Sequence, residues 1–182
     1  MTPSHRHSTG FTLLELMITV AVLAVLLGLG VPALTQFIRD NRLTAQTNAL
    51  VGSLNLARAE AAKRGLPVAV CAATNAQPAA CAGEDASDWA NGWLVFTDRI
   101  GDIGSFDVGD ELLQVAPAVG QGLTLTTDNI GFARFNSDTS PVTQVAFTVR
   151  PEGTSACLQS GQRAIAIAVT GRINTSKAAT CG

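Results

Sequence analysis

From Leu16 to Ile38 the chain carries no charged residue. A bilayer core is crossed by about 20 consecutive apolar residues in a helix. The apolar run begins at Phe11 and contains one charge, Glu15, after a short polar leader that ends at Gly10. A carboxylate in an apolar helix costs about 2.5–3.5 kcal/mol at the bilayer centre and less near the interface. Such a residue marks a functional site for which a partner must be sought. Cleavage after Gly10 would supply one, because Phe11 would then carry a free amine four residues before Glu15.

Three readings of this stretch compete. In an ordinary secretory signal, Val31-Pro32-Ala33 would offer small residues for cleavage, but Glu15 would fall inside an apolar region that is also longer than the usual 7–15 residues. A plain membrane anchor gives Glu15 no role. The third rests on a resemblance. Gly10-Phe11-Thr12-Leu13-Leu14-Glu15 resembles the class III signal of type IV pilins and of the pseudopilins of type II secretion. The resemblance implies that a prepilin peptidase cuts between Gly10 and Phe11 and that Phe11 is N-methylated. It also implies that Glu15 pairs with the N-terminus of a neighbouring subunit during assembly.

Histidine usage limits the chemistry. The only two, His5 and His7, lie in the leader and leave with it. A Ser-His-Asp or Cys-His nucleophile system is then impossible in the processed chain, as is a His-containing zinc site. Carboxylate catalysis has no positive support, so no enzyme and no cofactor are expected. Four cysteines follow the apolar run: Cys71, Cys81, Cys157 and Cys181. Their spacing does not match CxxC-type metal sites, and four cysteines allow three pairings. In a periplasmic domain disulfides are expected; we take the local pairing, Cys71–Cys81 and Cys157–Cys181, as the expectation.

The sequence divides into a leader (1–10), a long helix (11–65) and a β-rich globular domain (66–182). Within the helix, 11–34 is the membrane or filament-core half. Residues 35–65 form an amphipathic half, because Leu43, Leu50, Leu54, Ala57 and Ala61 recur on one helical face. Gly28, Gly30 and Pro32 predict a kink or a melted turn near 28–32, and Gly65 followed by Pro67 predicts the helix stop. Short β-type segments follow at Leu66–Ala72, Gly92–Asp98, Glu111–Ala116, Leu123–Thr126, Gly131–Asn136, Gln144–Arg150 and Arg163–Gly171, separated by turn residues. The roughly 145 residues beyond the apolar run suffice for one core. The fold class is α+β, a long N-terminal helix packed on an antiparallel β-sandwich-like domain.

A closer resemblance lies inside the domain. Ala57-Arg58-Ala59-Glu60-Ala61-Ala62-Lys63-Arg64-Gly65-Leu66-Pro67-Val68 resembles the helix–strand junction of the GspH/FimT family. Gly92-Trp93-Leu94-Val95-Phe96-Thr97-Asp98 is similar to its "GWxVFxD" strand, and Thr170-Gly171-Arg172 to its final "GR" segment. This family contains minor pilins of type IV pili and the minor pseudopilin of type II secretion. The resemblance implies a structural subunit in the inner membrane, with a single pass, a periplasmic C-terminal domain and exposure outside the cell once assembled. Its partners would be the prepilin peptidase and other pilin or pseudopilin subunits.

Charge distribution raises two further hypotheses. Eight acidic residues and one basic residue lie between Glu84 and Glu111. Asp98, Asp102, Asp107 and Asp110 could supply calcium oxygens, but the spacing is not that of an EF-hand, and a solvated turn is preferred; no metal is expected. The C-terminal region is modestly basic. Some family members bind DNA in natural transformation through a GRxR motif. Here Gly171-Arg172-Ile173-Asn174 keeps only the first arginine, leaving Arg172 and Lys177 as the candidate DNA contacts.

Overall fold

The computed structural model describes residues 12–75, 80–99, 101–153 and 161–177. Gly10, Phe11, Cys157 and Cys181 lie outside them. Helix α1 spans Leu13–Arg64, and the chain divides into two units between Arg39 and Asp40. In the first unit the apolar side chains are exposed all round the helix, from Leu13 to Ile38. A helix that is apolar on every side belongs in a membrane or inside an assembly. Helical geometry continues through Gly28, Gly30 and Pro32, so the melted turn expected there is absent. One proline removes one donor, and the strong helix formers on either side carry the remaining ladder.

In the second unit, α1 contributes the stripe read from the sequence. Leu43, Leu50, Leu54, Ala57 and Ala61 are each at most 1% exposed. The helix stops where Gly65 takes φ 64°, its N–H donating to the Ala61 carbonyl at 3.0 Å. That left-handed conformation is the usual C-terminal stop and favours glycine.

Among the described residues eight strands follow: β1 (Val68–Ala72), β2 (Trp93–Thr97), β3 (Leu112–Ala116), β4 (Leu123–Thr127), β5 (Phe132–Phe135), β6 (Ala146–Pro151), β7 (Arg163–Ile167) and β8 (Ile173–Lys177). They form two antiparallel four-stranded sheets, ordered β3-β2-β1-β5 and β4-β6-β7-β8. One core joins the α1 stripe to Val68, Val70, Trp93 and Val95 of the first sheet and to Leu125, Phe147, Val149 and Ile165 of the second. The first sheet is covered on its other face too, where Ala69, Cys71, Leu94 and Phe96 pack with Phe106 and Phe132. Every residue of β1 and β2 is therefore buried. This is why both read as continuous apolar runs rather than alternating ones.

One expected strand is corrected. Arg163–Gly171 is not a single strand: β7 ends at Ile167 and the chain reverses. Gly171 N–H donates to the Ala168 carbonyl at 2.8 Å, and Ala168 N–H to the Arg172 carbonyl at 2.9 Å. Gly171 holds φ 74°, and a Cβ there would lie 2.1 Å from the Thr139 carbonyl oxygen. The glycine is thus required by a turn and by a close backbone approach. The returning strand β8, Ile-Asn-Thr-Ser-Lys, has no apolar alternation because it is an edge strand with four of its five residues exposed.

Candidate assembly element and the residues around it

The start of α1 is built by Thr12. Its hydroxyl accepts the Glu15 N–H at 3.2 Å, and its carbonyl accepts the Leu16 N–H at 3.2 Å. Thr12 is therefore the N-cap, and Thr12-Leu13-Leu14-Glu15 has the spacing of a capping box. A threonine cap is worth about 1 kcal/mol to a helix. The bond uses the backbone of Glu15, which leaves its carboxylate exposed and without an ion pair among the described residues. An acidic side chain in the first turn is also favoured by the helix dipole. A Cβ built at Gly28 or Gly30 would meet nothing within 4 Å. No contact among the described residues explains those glycines, whereas small residues allow helices to approach one another closely.

The cysteines divide in the same way as the described residues. Cys71 and Cys81 form a disulfide, with Cα atoms 5.6 Å apart, on the covered outer face of the first sheet. Closing a loop of that size stabilises by about 2–3 kcal/mol in the chain-entropy account. For the other pair, the strands that carry the flanking sequence are informative. Arg163 and Lys177 are directly paired across β7 and β8. Cys157 lies six residues before the first and Cys181 four after the second. We therefore expect non-reducing peptide mapping to recover a Cys157–Cys181 peptide; a Cys71 or Cys81 peptide linked to either would refute the local pairing.

The acidic turn is largely solvent-exposed, and it is also internally ordered. Its carboxylates cap its own backbone: Asp107 Oδ2 accepts the Asp102 N–H at 3.1 Å, and Asp110 accepts the N–H groups of Arg99 at 2.9 Å and Asp107 at 3.1 Å. Asp98, 2% exposed, accepts the Gly104 N–H at 2.9 Å, and its Oδ2 lies 2.6 Å from Arg134 Nε. That Nε makes no aligned hydrogen bond, so the attraction is mainly coulombic, while Arg134 Nη2 donates to the Asp98 carbonyl at 3.2 Å. Burial pushes the Asp98 carboxyl above its ordinary range, more than Gly104 and Arg134 pull it down. Among the described residues no group of three or more metal-ligating side chains is assembled.

The junction residues form a second set of ties. Glu60 pairs with Lys63 and Arg64, and Arg64 Nη1 reaches Glu111 at 2.6 Å. The Arg64 guanidinium, followed by the Lys63 ammonium, holds the Glu60 carboxyl below its ordinary value. The candidate DNA contacts are not brought together. Arg172 stands in the β7–β8 turn and Lys177 ends β8. Five positions of near-extended chain separate them by about 17 Å. Lys177 faces Arg163 instead, a pairing with no signal in a sequence that separates them by a hairpin.

Comparison with known proteins agrees with this architecture. The family model described as Type II transport protein GspH matches residues 46–171, and the prokaryotic N-terminal methylation motif matches residues 5–31. A search of curated proteins returns no match. Among solved structures, the type IV minor pilin FimU of Pseudomonas aeruginosa is similar in two crystal forms. The P21 form has a TM-score of 0.58 at 20% identity, covering 77% of this chain and 92% of that one. The P65 form has a TM-score of 0.50 at 19% identity, covering 73% and 91%. At these identities the likeness concerns the fold: a long N-terminal helix with antiparallel sheets. With its N-terminal methylation motif and a GspH model matched along most of its length, the chain belongs to the GspH family of type IV pilin-like proteins.

Proposed function

We propose that the protein is a minor pilin, a structural subunit that takes part in assembling a type IV pilus. The observation that carries this is the apolar, all-round exposed segment from Leu13 to Ile38, headed by a methylation motif and joined to a domain with the fold of a minor pilin. The prepilin peptidase cuts between Gly10 and Phe11, Phe11 is methylated, and the processed subunit waits in the inner membrane with its domain in the periplasm. Glu15 then pairs with the N-terminal amine of a neighbouring pilin, and the same apolar surface passes from lipid to filament core. The role is structural rather than catalytic.

A second reading, a minor pseudopilin of type II secretion, is favoured by the description of the matching family model. Deleting the gene separates the two. For a minor pilin, surface filaments are lost or reduced at least tenfold while secretion of folded enzymes continues. Unchanged piliation with lost secretion would instead indicate the pseudopilin.

A further inference from the structure

The second unit contains a cleft of about 310 Å³. It is lined by Thr44, Thr47 and Asn48 of α1 and by Arg163, Thr175, Ser176 and Lys177 of the β7–β8 hairpin. That size is at the lower end for small-molecule sites and suits a group such as one sugar ring. Every lining side chain is polar, and none is acidic.

Two features of the cleft select the chemistry of a ligand. The first is charge. Arg163 and Lys177 are direct cross-strand partners, and like charges in that relation repel. By strand alternation Arg163 shares its sheet face with Ile165 and Ile167, which are buried in the core. Neither cation forms an ion pair among the described residues. The guanidinium donates to the neighbouring Gln162 carbonyl at 3.3 Å, which is a neutral acceptor. An anion between them would remove the repulsion.

The second feature is the facing wall. The Thr44 hydroxyl donates to the Asp40 carbonyl at 2.8 Å and the Thr47 hydroxyl to the Leu43 carbonyl at 2.7 Å. Each hydroxyl has one proton, already committed, so it can offer a ligand only lone pairs. Thr44, Thr47 and Asn48 are spaced to share a helix face. The cleft thus sets two cations on the strand side against the lone pairs of two threonines on the helix side, with the Asn48 amide able to donate or accept. A phosphodiester has acceptors alone and leaves those threonine lone pairs unmatched. A sugar acid carries a carboxylate for the cations and hydroxyl protons for the threonines.

We propose that this cleft binds an acidic saccharide, with its carboxylate between Arg163 and Lys177 and its hydroxyls donating to Thr44 and Thr47. The test is a calorimetric titration of the full chain, in a polyoxyethylene detergent free of sugar, with oligoglucuronate. A neutral glucose oligomer of the same length, inorganic sulfate and duplex DNA are titrated in parallel. Oligoglucuronate binds most tightly. Lys177→Gln weakens it about tenfold or more, as expected for a hydrogen bond to a charged group. Thr44→Val weakens oligoglucuronate but leaves sulfate unchanged. Both side chains are exposed, so both variants fold, and an unaltered melting temperature checks this. Equal binding of the neutral oligomer, undiminished binding in Lys177→Gln, or sulfate or DNA binding as tightly as oligoglucuronate would each overturn the proposal.

Discussion

Asp98→Ala lowers the melting temperature of the protein by about 10 °C, through the loss of about 3 kcal/mol. The carboxylate ties three parts of the second unit together: the end of β2, the turn through Gly104 and Arg134 of β5. Its removal leaves the Gly104 N–H without its acceptor and Arg134 facing a buried site without a counter-charge. Breaking such a pair from one side is costly because the remaining charge stays desolvated. Asp98→Asn keeps an acceptor for Gly104 and is milder. Removing Arg134 as well makes the double variant less unstable than the sum of the singles. Thermal unfolding followed by circular dichroism measures all three. Its pH dependence has a definite sign. The folded state raises the Asp98 carboxyl above its ordinary value, so it binds that proton more tightly than the unfolded chain does. The associated stability is present in acid and lost as pH rises through the folded-state value. Wild type therefore loses stability relative to Asp98→Asn over that interval. A wild type that gained stability there would contradict burial as the dominant cause.

Legibility in the sequence followed the source of each element's stability. The α1 stripe and strands β1 and β2 are held by apolar burial, and burial leaves a period or a run that can be read. Strand β8 packs only Ile173 against the core and is otherwise held by hydrogen bonds to β7, so Asn174, Thr175 and Ser176 give no hydrophobic sign of it. The same blindness made Gly171-Arg172 look like the end of a strand, when Gly171 serves a reversal against Thr139. The acidic turn shows a different limit. Its exposure was legible from the run of aspartates, but not that Asp107 and Asp110 accept amides of their own turn. Asp98 is matched to an arginine 36 residues away. Pairings of that range also set the sheet order, which no local pattern encodes. The N-terminal element was legible because its chemistry is local: the cap, the charge and the apolar run are consecutive.

Glu15→Val abolishes incorporation into filaments while leaving the precursor processed, and Gly10→Val blocks the processing itself. The geometry at the start of α1 makes the first substitution unusually clean. The Thr12 hydroxyl caps the backbone N–H of residue 15, a bond that valine retains, so α1 still begins at Leu13. Valine also makes the segment more apolar, which favours its place in the membrane. What disappears is the carboxylate alone, and with it the charge that an N-terminal amine of a neighbouring subunit would meet in an apolar setting. An ion pair there gains strength from the low dielectric, and an unpaired charge there is penalised for the same reason. The amine of the neighbour, not the carboxylate, is then the group left exposed to that penalty, and the subunit is excluded from the filament. Intact-mass measurement of the membrane-extracted chain reports the cut and the methyl group. Immunoblotting of sheared filaments reports incorporation, expected to fall at least tenfold. Wild-type incorporation of Glu15→Val would leave the carboxylate only its role at the helix start, and normal cutting of Gly10→Val would remove the processing site from Gly10-Phe11.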